Sequence, residues 1–145
     1  MNSICIITDI KELEGTAYIE VLPGAYKDKC WNDGSLFFDE EAFGYIEPIL
    51  QRNVPAYDHY AFTEIGRDKW LAIIDDLDEL QSLITSATSI VDLQGHIGLP
   101  FGGTEERFAR DFDASKGALS RLISEFSVWL RAKINENDSI TVLGM

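Results

Sequence analysis

The feature that most constrains this chain's fold is residues 63–86, TEIGRDKWLAIIDDLDELQSLITS, where Trp70, Ile73, Ile74, Leu77, Leu80 and Ile84 recur at steps of three and four. That spacing places them on one broad face, so the stretch reads as an amphipathic helix whose apolar side must be covered by another element. The reverse side carries Asp75, Asp76, Asp78 and Glu79, which makes the same helix both a core anchor and a concentrated negative surface. Residues 113–134 repeat the pattern with Leu119, Leu122, Ile123, Phe126, Trp129, Leu130 and Ile134. Two such helices of similar length pack economically as an antiparallel pair, with a sheet over their remaining apolar side. Trp70 and Trp129 both fall on the apolar faces, and each is expected in the core.

The sheet is found on either side of these helices. Residues 4–7 are a short Ile-rich run, and residues 16–22 (TAYIEVL) are rich in β-favouring side chains up to Pro23-Gly24. The turn signal Asn32-Asp33-Gly34 precedes SLFF at 35–38, a third strand. Asp39 is suited to cap a helix over EEAFGYIEPILQRN, its carboxylate accepting from free N–H groups while Glu40 and Glu41 favour the positive helix end. Pro48 predicts a kink or two pieces, because its ring removes a donor and crowds the preceding turn. Residues 54–62, with Pro55, Tyr57, Tyr60 and Phe62, read as an extended segment over the core. Residues 87–106 are the most loop-like part, with a short helical or strand piece at 89–93; residues 139–143 (SITVL) read as a final strand on the N-terminal sheet. The expectation is an α+β fold, one domain over residues 1–145: an antiparallel sheet packed on two long antiparallel helices with a shorter third helix. Its length matches a domain of roughly 100–150 residues, and no repeat or low-complexity tract breaks it.

Charge limits the function classes. The chain holds 12 basic and 25 acidic side chains, a net charge of −13. Nucleic acid and anionic membrane are improbable direct ligands, since both reward cationic surfaces; a basic protein is a better partner. An acidic surface also serves solubility alone, and composition does not separate the two. The imbalance is greatest in residues 1–62, with 4 basic against 11 acidic side chains, and in 63–86, with 2 against 6. Cys5 and Cys30 lack metal or redox spacing and are expected as buried thiols in a reducing compartment. The N-terminus lacks a basic region before its short apolar run, and no stretch approaches a membrane span, so the expected location is cytoplasmic.

No catalytic, cofactor or metal motif stands out. Residues 95–106, GHIGLPFGGTEE, superficially resemble a phosphate loop, but no Lys follows and Glu105 and Glu106 occupy the place of the anion. His59 and His96 are far apart, no G-x-S-x-G elbow occurs, and Cys5, Cys30, His59 and His96 follow no recognised zinc spacing. Aromatic packing is expected for His59 and solvent exposure for His96. No Glu lies two residues before a Lys, so the E-x-K element of many metal-dependent nucleases is missing. An enzyme reading would place a pocket at Asp58, His59 and Tyr60. A binding reading points to Asp75, Asp76, Asp78 and Glu79, together with Asp39, Glu40 and Glu41; a regulatory interaction module would use the same surface. The sequence does not specify an oligomeric state.

The stretch DHYAFTEI at 58–65, followed by Trp70, and the ending NDSITVLGM resemble those of small bacterial proteins, and the whole is similar to immunity proteins of contact-dependent growth inhibition and related polymorphic toxin systems. That resemblance implies a cytoplasmic protein without catalysis that binds and blocks the toxic domain delivered by a neighbouring cell, often a basic nuclease. It carries no individual toxin-binding residue over to this chain.

Overall fold

The computed structural model describes residues 4–145. Five strands form one antiparallel sheet: β1 (Ile6–Ile7), β2 (Tyr18–Pro23), β3 (Leu36–Asp39), β4 (Phe62–Gly66) and β5 (Ser139–Leu143), in the order β1-β3-β2-β5-β4. Five α-helices accompany it: α1 (Glu40–Gly44), α2 (Glu47–Asn53), α3 (Arg67–Ser86), α4 (Thr104–Arg110) and α5 (Phe112–Ile134). The fold is α+β, as expected.

Alternation along the strands assigns the two sheet faces. Ile19 and Val21 of β2, Leu36 and Phe38 of β3, Ile65 of β4 and Ile140 and Val142 of β5 point to the helices and join one buried core with Trp70, Leu77, Phe126 and Leu130. Helices α3 and α5 run antiparallel across this face. Their contacts progress in opposite senses, with Arg131 and Ser127 at Asp78, Ser120 at Gln81 and Lys116 Nζ 2.6 Å from the Ala87 carbonyl. The indole of Trp70 is fully buried and donates to the Ile140 carbonyl at 3.0 Å, which ties α3 to the interior strand β5.

The opposite face is also covered. Its register aligns Ile7, Phe37, Glu20, Leu143 and Phe62 across all five strands. Glu20 is buried in the middle of that row. Its carboxylate accepts from the N–H groups of Trp31 and Asn32, the Asn32 amide and the Ser35 hydroxyl, at 2.6 to 3.0 Å. The segment between β2 and β3 therefore folds back over the sheet, and Tyr26 lies 4.9 Å from the Phe62 ring. Trp31 is held at φ 61°, a left-handed conformation uncommon outside glycine, where its N–H meets Glu20.

Asp39 caps α1, accepting from Glu41 N–H at 2.9 Å. The helical stretch is divided as Pro48 requires: α1 ends at Gly44, and Pro48 lies in the first turn of α2, where its missing donor is harmless. Several expectations are corrected. Residues 63–66 belong to β4, and the long helix starts at Arg67. Within 87–106, residues Ile90–Leu93 form a 3-10 turn, and α4, which the glycines concealed, begins at Thr104. Cys5 and Cys30 are exposed rather than buried. Trp129 is only partly buried, at the edge of the core that encloses Trp70. Among the described residues, no helix is long and apolar enough to cross a membrane.

Candidate functional site

The acidic residues of α3 diverge because consecutive helical positions are turned by about 100°. Asp78 faces α5, where it accepts from Ser127 Oγ at 3.0 Å and pairs with Arg131. Asp76 faces α2 and accepts from Asn53 Nδ2 at 2.8 Å and Arg52 at 3.1 Å. Asp75 and Glu79, one turn apart between them, are exposed and make no hydrogen bond or ion pair among the described residues. The ridge thus consists of two uncompensated carboxylates flanked by two paired ones.

Beside this ridge, α2 and α3 enclose a cleft of about 220 Å³. Its apolar wall is Ile49, Leu80 and Leu83; Arg52, Asp76, Glu79 and His96 form its polar rim. Pockets for drug-sized ligands span roughly 300–1,000 Å³, so this cleft suits a smaller group. His96 is exposed, as expected.

The second acidic group, Asp39, Glu40 and Glu41, does not form a surface of its own. Asp39 is used as the α1 cap. Glu41 is buried, a correction to its reading as a partner contact: its carboxylate accepts from Thr104 Oγ1 at 2.6 Å and pairs with Arg107, fastening α4 to α1. Burial and then the nearby Glu41 charge push the neighbouring Tyr45 hydroxyl up to about 12. Glu40 is committed to His59.

His59 lies between two carboxylates. Its Nε2 is 2.6 Å from Glu40 and its Nδ1 is 2.6 Å from Glu47, which also accepts from the Tyr57 hydroxyl at 2.6 Å. Burial disfavours charge on the ring, but hydrogen bonds to Glu40 and Glu47 outweigh it, so the imidazole's pKa is raised. Burial and the bond to Glu47 likewise raise Tyr57. With both ring nitrogens engaged, His59 offers a substrate neither a free lone pair nor an unpaired proton. Asp58 caps the Tyr60 N–H at 2.8 Å, and Tyr60 is exposed, stacked edge-on to His59 at 4.8 Å. The trio considered for an enzyme pocket is therefore a clamp joining α1 and α2 to the segment before β4. The C-terminus is drawn into the same clamp, since Met145 N–H donates to the His59 carbonyl at 2.9 Å.

Glu20 and Glu47 were not singled out by the sequence reading. Each had a signal: Glu20 interrupts an apolar strand, and Glu47 sits between Ile46 and Pro48 in an apolar helical stretch. A carboxylate in such surroundings requires several donors. Among the described residues, no group of three or more His, Cys, Asp or Glu side chains is placed to hold a metal ion. Comparison with protein-family models, with curated proteins and with solved structures returned no match.

Proposed function

We propose that this protein is an immunity-type inhibitor that neutralises a cognate toxin domain, a basic nuclease, by binding it through the acidic ridge of α3. The observation that carries this reading is the pair of exposed, uncompensated carboxylates Asp75 and Glu79 on a chain of net charge −13. A nuclease presents positive charge to its nucleic acid, and a compact acidic protein occupying that surface blocks access without chemistry of its own. The engagement of His59 by Glu40 and Glu47 favours binding over catalysis.

The test uses a basic nuclease domain captured by this chain from its native cells at low salt, and capture of none rejects the reading. An equimolar amount of the native protein is expected to suppress its cleavage of nucleic acid, with the association rate falling as salt rises. Asp75→Lys with Glu79→Lys is expected to weaken inhibition at least tenfold while leaving the melting temperature within a few degrees, because neither carboxylate has an internal partner. Undiminished cleavage in the presence of the native chain would reject the immunity reading. Unchanged inhibition by the double variant would exclude this ridge as the contact.

A further inference from the structure

Resting on the toxin-binding reading, we propose that the cleft between α2 and α3 is the anchor point of that interface and receives one arginine side chain of the partner. The chemistry of its walls selects such a group. Leu83, partly exposed beside the buried Ile49 and Leu80, offers an apolar edge to an aliphatic stem, and charged ends of long side chains commonly emerge from such edges to meet counter-charges at the rim. On that rim, Arg52 is matched by Asp76 at 3.1 Å, which leaves the Glu79 carboxylate as the uncompensated charge. The occupant must therefore be cationic. A small anion would meet Asp76 and Glu79, and a purely apolar residue would strand Glu79 against a desolvated neighbour.

Guanidinium suits the rim better than ammonium. Its planar fork gives a carboxylate two parallel hydrogen bonds, it is less strongly hydrated, and it can stack on the imidazole of His96. The cleft's 220 Å³ accommodates a single long side chain, not a folded loop. Arginine anchors surrounded by weaker contacts are a recurrent feature of tight interfaces. Asp75, one turn away on the open ridge, then supplies steering, whereas Glu79 supplies a fixed contact.

The inference can be tested without the toxin. The isotope-labelled full chain is titrated with the blocked tripeptide Gly-Arg-Gly and, in parallel, with the same peptide carrying citrulline, which keeps the shape and loses the charge. Saturable NMR shifts are expected at the Leu80 and Leu83 methyls, the Arg52 side chain and the His96 ring with the arginine peptide, and none with citrulline. Glu79→Gln should weaken binding at least fivefold, and Asp75→Asn by less than twofold. Shifts spread equally over Asp68, Asp75 and Asp92, or the absence of saturation, would overturn the cleft as a site. Equal binding of a lysine peptide would overturn the preference for guanidinium. Because toxin inhibition is measured separately, a failed cleft with intact inhibition leaves the immunity reading standing, and a failed inhibition assay rejects that reading whatever the cleft binds.

Discussion

His59 concentrates more tertiary connections than any motif in the chain would suggest, and its protonation has a defined consequence for stability. Because Glu40 and Glu47 hold the imidazolium in the folded state, its pKa lies above the ordinary 6.5. The stabilisation is complete below pH 6.5 and is lost as pH rises through the raised folded-state value. His59→Gln is therefore expected to lower the melting temperature at pH 6 by about 4–8 °C, taking hydrogen bonds to charged groups at about 2 kcal/mol in a chain of this size. The gap between variant and native protein should narrow towards pH 9; a gap that stays constant from pH 6 to pH 9 would show that the ring's shape, not its charge, holds the clamp. At this scale the sequence was least legible. His59 was expected among aromatics, and it does touch Tyr60, but its carboxylate partners stand 19 and 12 positions earlier. Likewise, Glu41 meets Arg107 across 66 positions, so its withdrawal from the surface has no local signature.

Elements were more legible, because a hydrophobic period states which face is buried even when it does not state against what. The two long helices, the division at Pro48 and the final strand all follow from local pattern. Strand β4 was missed because TEIG runs directly into the helical period of α3, and its strand character depends on pairing with β5, 73 to 81 positions away along the rungs and set by no turn. Periodicity also gave Trp70 and Trp129 equal standing, while the packing separates them. Trp70 has no solvent exposure, lies against Phe126 and bonds the Ile140 carbonyl, whereas Trp129 sits at the margin of the core. Trp70→Ala is expected to cost about 3–5 kcal/mol, as for other fully buried aromatics. Trp129→Ala should cost about 1 kcal/mol, near the centre of the range for point variants. Urea denaturation of the two variants measures both, and equal losses would contradict the assigned packing of α5.

For the molecule as a whole, the net charge of −13 opposes compaction, while the ion pairs Arg52–Asp76, Arg67–Asp138, Arg107–Glu41 and Arg131–Asp78 favour it. The arginine of each pair is at least 44% exposed on its side chain, and the three pairs whose carboxylate is also open to solvent contribute only about 0–1 kcal/mol each; Arg107–Glu41, with its carboxylate buried, is the exception. Repulsion among the surplus carboxylates acts over longer distances. The screening length contracts from about 30 Å at 0.01 M salt to about 10 Å at 0.1 M, which removes much of the long-range repulsion while leaving contacts of 3 to 4 Å largely intact. The melting temperature is therefore expected to rise by about 2–8 °C over that range of sodium chloride, equivalent to about 1–2 kcal/mol in a chain of this length. A melting temperature that falls with salt would mean that the ion pairs outweigh the surplus charge. A rise would have a functional corollary for the proposed interface: a cationic partner relieves the same repulsion that salt does, so binding should raise the melting temperature most at low ionic strength.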